Sequence, residues 1–263
     1  LIEVYNRNLS LFNDGVVRFN DLYKIHQFPS VEHFKKLNLD LLNEKQIFEN
    51  FIEAQKLINQ EKKLKFLKTH SSLAKIGKCN FTDWKNSLGA IYIVRDPRNV
   101  VKSFSNHYNL TIEKATDVMI NPKRWLNTNN LTYKVFLGSW SINYNSWKQM
   151  KDKVFFVKYE DLVSRKKTTL LKIFKFIQNL GVKNFEVDMV KLNKVIKTSD
   201  FNYMQNLEKK EDFKESVIDY KTKKKRTFFK YGPKNNWKID LDKNNRIKIE
   251  DAFRNEMIEL GYL

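Results

Sequence analysis

Arg95 is the side chain that the sequence places best to bind an anion. It directly follows Ile91–Val94, a run of β-branched and aromatic residues that is typical of a strand buried on both faces of a parallel sheet. Asp96 and Pro97 then predict a helix start, with an N-cap followed by proline at the first helical position. Open α/β sheets bind ligands where strands end, and helix N-termini attract anions. An anion site is therefore predicted, although a surface arginine after an ordinary strand would give the same pattern.

The helix after Pro97 adds a hydroxyl to the same region. Asn99 and Ser103 are four residues apart, so they share one helix face. A planar guanidinium can bind a phosphate bidentately, and a lysine does not replace it geometrically.

A second strand-like run, over about 64–68, ends in residues that suit group transfer. Lys68 and His70 lie at and just past its end. A neutral imidazole accepts a proton well near pH 7, and an ammonium group stabilises negative charge on a transferring group. Taken alone, this histidine could equally be a capping or surface residue.

Five segments, in this order along the chain, resemble the PAPS-dependent sulfotransferases. That family moves a sulfuryl group from 3′-phosphoadenosine-5′-phosphosulfate (PAPS) to an acceptor hydroxyl or amine, leaving 3′,5′-adenosine bisphosphate (PAP), without a metal. The segments are Leu64–His70, Gly89–Ser103, Lys153–Leu162 with its Tyr-Glu-Asp-Leu ending, Ser199–Met204 with its Ser-x-Phe-x-x-Met spacing, and Phe228–Lys238. The resemblance implies a single sulfotransferase-like domain over 1–263, with the three-layer α/β/α, P-loop NTPase-like fold around a parallel central sheet.

The resemblance also implies roles for individual side chains at the reaction centre. His70 corresponds to the family's general base, and Lys68 to the lysine beside the transferring group. Arg95 and Ser103 keep the family's spacing of eight and correspond to the pair that grips the 3′-phosphate of PAPS. Arg98, where the family commonly has a charged residue, is interpreted as a solvated helix position.

Three further residues match family positions on the nucleotide side. Ser199 and Phe201 correspond to residues that contact adenine, the aromatic ring by stacking, although Asp200 between them is unusual. Tyr159 also matches a nucleotide-side position. It could equally belong to an ordinary strand end followed by an acidic N-cap, and both interpretations stay open.

The C-terminal loop departs from the family pattern. Where the family has Arg-Lys-Gly for binding the donor, this chain has Lys230, Tyr231 and Gly232. Gly232 still permits close backbone approach to a phosphate. The loss of the second cation should weaken the 3′-phosphate site unless Lys234 or Arg226 compensates.

Composition limits the function classes. Lys plus Arg is 49 against 30 for Asp plus Glu, a net charge of +19 that favours polyanionic partners without choosing among them. The single cysteine, Cys79, excludes an internal disulfide and fits a reducing, cytoplasmic compartment. No apolar run approaches the ~20 residues of a membrane helix. The four histidines and one cysteine give no metal-ligand spacing, so no metal site is predicted.

The start of the chain predicts an N-terminal truncation. It begins at Leu1 rather than Met, in what looks like a helix already under way. The family carries a Pro-Lys-Ser-Gly-Thr-Thr type phosphate loop before its first helix, and no such sequence occurs here. We expect that loop upstream of Leu1.

The elements around these motifs alternate between strands and helices, which favours a parallel three-layer α/β sheet. Strands are predicted near 64–68, 89–94 and 153–158, helices near 43–60, 132–150, 168–180 and 243–260, and a polar insertion at 111–131. With 1–60, that insertion is expected to shape the acceptor pocket.

Sulfuryl transfer to a small-molecule, lipid or glycan acceptor is the function that these patterns favour. A catalytically inactive relative that binds nucleotides or sulfated glycans is the first alternative. A nucleic-acid-binding module rests on the net charge alone, and the order of the motifs disfavours it. The oligomeric state is not indicated.

Overall fold

The computed structural model describes residues 16–19, 26–58, 60, 64–127, 132–182, 186–211, 213, 215–219 and 222–263. Its strands are β1 Lys75–Ile76, β2 Cys79–Asn80, β3 Ala90–Val94, β4 Trp125–Leu126, β5 Val135–Phe136 and β6 Val154–Lys158. Its helices are α1 Val31–Phe34, α2 Glu44–Glu49, α3 Phe51–Ile58, α4 Pro97–Tyr108, α5 Ile112–Ile120, α6 Trp140–Lys148, α7 Tyr159–Ser164, α8 Lys166–Asn179, α9 Met189–Thr198, α10 Phe201–Lys210, α11 Trp237–Asp240, α12 Lys243–Ala252 and α13 Arg254–Glu259. Short 3₁₀ turns lie at Lys151–Lys153 and Gly232–Lys234.

The parallel sheet is built from β3 and β6. They pair in register from Ala90 opposite Val154 to Val94 opposite Lys158, so both strands end at the same edge. Helices cover both faces of the pair. Val157 packs on one face in a cluster with the core residues of α8, while Val94 packs on the other with Tyr144 of α6. The predicted α/β class with a parallel sheet is confirmed.

Two details of the predicted strands are wrong. Within the described ranges, the run at 64–68 forms a single parallel bridge, between Lys68 and Gln27, flanked by a hydrogen bond from the Phe28 amide to the Lys68 carbonyl at 2.8 Å. Ile93 of β3 is 59% exposed rather than buried. It shares a face with Ile91 but is not among the residues of the hydrophobic cluster that packs against Ile91.

The helix predicted at 132–150 is wrong in its first third. There β5 pairs antiparallel with β4. Gly138 follows at φ +65°, and α6 begins only after Ser139, whose hydroxyl accepts from the Ile142 amide at 3.2 Å. The interval 111–131, interpreted as a polar insertion, contains α5, which Thr111 caps. Residues 128–131 of this second interval lie outside the described residues.

The other predicted helices form, but two of them are divided. Asn43 caps α2 as expected, and the helix is then interrupted at Asn50 before α3 begins. The C-terminal helix breaks at Phe253, although its predicted inward residues are buried. The helix predicted at 168–180 is α8, followed by Gly181 at φ +88°. Among the described helices, none combines the length and the apolar character needed to cross a membrane.

Arg98 is a buried structural residue, so its interpretation as a solvated position is wrong. It is 4% exposed. Its guanidinium pairs with Asp96 at 2.8 Å and Glu250 at 2.7 Å, donates to the Tyr262 carbonyl at 2.7 Å, and lies 3.8 Å from the Trp237 ring centroid. This network joins the start of α4 to the C-terminal helices. It thereby also holds the end of β3, which directly precedes α4.

Replacing Arg98 by methionine should lower the free energy of unfolding by about 3–5 kcal/mol, because it leaves the buried Asp96 carboxylate without its counterion. Arg165→Met is the matched control, since Arg165 pairs with Asp161 at 2.6 Å while its side chain is 67% exposed. Exposed pairs contribute at most about 1 kcal/mol. Urea denaturation of both variants measures the difference, and equal losses would contradict the structural role of Arg98.

Candidate active site

A cavity of about 760 Å³ opens at the edge where β3 and β6 end. Nine of the ten residues predicted to act in catalysis or donor binding line it: Lys68, His70, Arg95, Ser103, Tyr159, Ser199, Phe201, Tyr231 and Gly232. They come from segments that are far apart in sequence. The structure therefore brings the separately predicted residues to one place, and Lys230 is the exception.

Arg95 has an unused donor in this cavity. Its Nη2 donates to the Gly232 carbonyl at 2.7 Å, and its guanidinium carbon lies 4.2 Å from the Tyr159 ring centroid. Its Nε is buried, with no hydrogen-bond partner among the described residues. Burial lowers the pKa of Arg95, with Tyr159 and Glu160 opposing the shift. An unpaired buried donor is costly, so this group is suited to an oxyanion ligand.

The Ser103 hydroxyl is held beside the C-terminal loop. Asn235, which is buried, donates from Nδ2 to Ser103 Oγ at 3.2 Å and to the Asn99 carbonyl at 2.5 Å. The Trp237 amide donates to Asn99 Oδ1 at 2.9 Å. This role of Asn235 could not be predicted from the sequence, because asparagine after a Gly-Pro turn is common for reasons of local conformation.

Phe201 and Gly232 pack against each other on the cavity wall. Asp200 caps α10 by accepting from the Asn202 amide at 2.9 Å, which sets Phe201 at the first helical position. Gly232 has φ +47°, and a Cβ added there would lie 2.0 Å from a ring carbon of Phe201. The close approach therefore requires glycine at 232.

Gly232→Ala should displace the Phe201 ring and weaken PAP binding about tenfold or more, because overpacking costs about 1–3 kcal/mol. Gly77→Ala is the control: it has a similar φ of +60° but nothing within 4 Å of its added Cβ. Both alanines carry the penalty of a left-handed backbone conformation, but only the one at 232 would collide with a residue of the cavity wall. Calorimetric titration with PAP measures the contrast. Unchanged PAP affinity in Gly232→Ala would show that Phe201 does not contact the nucleotide.

Lys68 and His70 lie on the cavity wall with an acidic neighbour that the sequence did not indicate. Lys68 Nζ is 3.1 and 3.3 Å from the two carboxylate oxygens of Glu215. His70 lines the open cavity and is accessible to solvent, although protein atoms surround much of the residue. Burial, and then the charge of Lys68, lower the pKa of His70 to about 4, and Glu215 opposes the shift. The imidazole is therefore neutral near pH 7.

His107 also lines the cavity. It lies four residues after Ser103 on α4, a helical spacing that could have indicated it in the sequence. Burial lowers the pKa of His107.

Lys230 is solvent-exposed and does not line the cavity, although its neighbours Phe229 and Tyr231 do. Its Nζ donates to Asn106 Oδ1 at 3.2 Å and lies 5.1 Å from the Tyr231 ring centroid. Arg226 lines the cavity but is paired with Asp219 at 2.6 Å. Compensation by Arg226 for the altered triplet therefore requires this ion pair to open.

In the described part of the chain, no group of three or more histidine, cysteine, aspartate or glutamate side chains is arranged to hold a metal ion.

Comparison with known proteins agrees with this geometry. A family model described as "Sulfotransferase domain" matches residues 7–261. The chain is 22% identical to human Sulfotransferase 1C2 and 26% identical to dog Sulfotransferase 1B1, each over 199 residues. Each alignment covers 73% of this chain and 62% of the relative, so the chain matches less than two thirds of the length of these proteins.

Solved sulfotransferase-type structures share the fold. Mouse sulfotransferase SULT7A1 complexed with PAP has a TM-score of 0.54 at 22% identity, over 78% of this chain and 69% of that chain. Retinol dehydratase in complex with androsterone and inactive cofactor PAP has a TM-score of 0.59 at 14% identity, over 97% of this chain and 74% of that chain. With the family match over residues 7–261, these findings show that the chain belongs to the sulfotransferase domain family.

Proposed function

We propose that the protein is a PAPS-dependent sulfotransferase that acts on an acceptor hydroxyl or amine. The observation that carries this proposal is the convergence of nine predicted residues on one cavity at the carboxyl ends of two parallel strands. Membership of the family supports it, as does PAP in the two structural neighbours. A cytoplasmic location is part of the proposal.

The donor side of the cavity fits a nucleotide with a 3′-phosphate. Arg95 offers the unpartnered Nε and Ser103 a hydroxyl, which together suit phosphate oxygens. Tyr159, Ser199 and Phe201 would hold the adenosine part. PAPS supplies an activated sulfuryl group, and PAP is the product that leaves.

His70 would act as the general base. Its neutral imidazole accepts the proton of the acceptor hydroxyl while the acceptor oxygen forms a bond to sulfur. The bond from sulfur to the phosphate oxygen breaks, and the negative charge passes to PAP. Lys68 would stabilise that charge, which requires it to exchange its contact with Glu215 for one with the donor.

The pKa of His70 should respond to the nucleotide. In the cavity without a nucleotide, burial and then the positive charge of Lys68 lower the pKa of His70 to about 4. Bound phosphates favour the imidazolium, so PAP should raise the pKa. NMR titration of the His70 ring protons, with and without PAP, measures the shift. An unchanged pKa in the PAP complex would place the phosphates far from the imidazole.

The activity is tested with the full-length protein, sulfur-labelled PAPS and a panel of phenols, sterols and glycans. Transfer of label to any of these acceptors, abolished by excess PAP, is the expected result. PAP binding without transfer to any acceptor would overturn the proposal.

A catalytically inactive nucleotide- or sulfated-glycan-binding protein is the second candidate. The placement of Lys230 outside the cavity favours it, because the loop then supplies no cation from the altered triplet to the 3′-phosphate. This candidate predicts PAP or heparin binding together with no turnover in the same assay.

A further inference from the structure

Arg124 is a cavity-lining cation to which the proposed function gives no role. It immediately precedes β4, and its guanidinium carbon lies 4.5 Å from the Phe104 ring centroid. Among the residues that the structure describes, no carboxylate pairs with this guanidinium and no oxygen accepts a hydrogen bond from it. Burial lowers the pKa of Arg124, so its charge is partly desolvated without a counterion.

The other cations of the cavity wall are already engaged. Lys68 pairs with Glu215, Arg226 pairs with Asp219, Lys166 donates to the Ser199 carbonyl at 3.3 Å, and Arg95 is assigned to the donor. The acidic side chains of the wall are Glu215 and Asp200, and Asp200 caps α10. Arg124 is thus the cation on the described wall that remains for a ligand other than the donor.

Hydrogen bonds hold the backbone of Arg124, and the residue lies on the same side of the cavity as His70, the proposed proton acceptor. Its backbone carbonyl accepts from the amides of Leu137 and Gly138, both at 3.0 Å, which anchors it to the start of the β4–β5 pair. Asn143 Nδ2 donates to the Leu137 carbonyl at 3.1 Å and to the His70 carbonyl at 3.3 Å, which joins the backbone that holds Arg124 to the segment of the imidazole. The acceptor hydroxyl must reach that imidazole, so Arg124 borders the space for the acceptor.

The surroundings of Arg124 set the chemical class of an acceptor. Phe104, Leu126 and Leu137 line the same cavity with apolar surface. When a guanidinium stacks on an aromatic ring, the N–H groups at the edge of the guanidinium stay free. They can donate two parallel hydrogen bonds to a carboxylate. An acceptor with an apolar body and a carboxylate would satisfy both features.

We propose that Arg124 determines acceptor specificity by binding a carboxylate, so that the acceptor is a hydroxylated organic acid with an apolar or aromatic body. This inference rests on the proposed sulfotransferase function and names its substrate class.

The test compares two acceptors that differ only in charge, 4-hydroxyphenylacetate and 4-hydroxyphenylacetamide, with the full-length protein and saturating PAPS. Wild-type kcat/KM should favour the acid. Arg124→Gln should lower kcat/KM for the acid roughly ten- to a hundredfold, the usual range for a lost charged hydrogen bond, and change that for the amide by less than about threefold. Lys123→Gln is the control, because it removes the adjacent exposed charge outside the cavity wall.

The Arg124→Lys variant guards against a folding defect. It keeps the charge without the bidentate geometry, so it should retain part of the preference for the acid. A wild-type enzyme that sulfates acid and amide equally, or prefers the amide, overturns the inference and leaves the proposed function intact. Equal loss with both acceptors in Arg124→Gln would assign Arg124 to the donor and also overturn it. PAP binding without transfer to either compound or to the neutral phenol 2-naphthol would instead overturn the proposed function.

Discussion

His70→Ala is expected to abolish sulfuryl transfer, with kcat reduced by about 10²- to 10⁴-fold, while PAP binding stays within about threefold of wild type. The neutral imidazole on the wall of the cavity is the proposed base, and alanine removes the group that would accept the acceptor proton. Alanine removes no donor to the nucleotide phosphates, because Arg95 and Ser103 remain. Steady-state kinetics with labelled PAPS and calorimetric titration with PAP measure the two effects separately.

The matched control for this experiment is His26→Ala. His26 is exposed and does not line the cavity, so its side chain should be dispensable for turnover. His33 is less suitable, because its Nδ1 lies 3.0 Å from the Ser30 hydroxyl and takes part in the cap of α1. Retained turnover in His70→Ala would remove His70 from the mechanism, and loss of PAP binding would make it a nucleotide ligand.

The fold was predictable where the signal is local. Ile91–Val94 and the cap formed by Asp96 and Pro97 predicted β3 and the start of α4 from adjacent residues alone. The β4–β5 pair was missed because two-residue strands carry no periodicity. Arg98 was misinterpreted because its partner Glu250 is 152 residues away, and only the folded chain brings the two together.

The site was predictable for a related reason. Parallel strands end at one edge, so Arg95 and Tyr159, each directly after a strand, had to be neighbours. Glu215 and Arg124 were missed because they follow no strand and lie in segments whose positions depend on tertiary packing. The resemblance thus supplied residues in short motifs at or near strand ends, and the structure added Asn235, Glu215 and Arg124, whose contacts depend on tertiary packing.

Arg95→Met is expected to remove the preference of the protein for nucleotides that carry a 3′-phosphate. In the wild type, PAP should bind about a hundredfold more tightly than adenosine 5′-phosphate, because the guanidinium and the Ser103 hydroxyl contact the extra phosphate. Arg95→Met should lower PAP affinity to nearly that of adenosine 5′-phosphate and leave the latter almost unchanged. Arg95→Lys should recover only part of the preference, since an ammonium cannot bind two oxygens in one plane.

Arg254→Met completes the comparison, because Arg254 is an exposed arginine on α13 away from the cavity. It should alter neither affinity, which separates the loss of a specific contact from a general reduction in the net charge of +19. Titrating both nucleotides at two salt concentrations separates the two effects further. Salt screens the electrostatic field of the net charge, but it weakens a half-buried contact much less. Equal weakening of PAP and adenosine 5′-phosphate by Arg95→Met would show that Arg95 supports the strand end and does not read the 3′-phosphate.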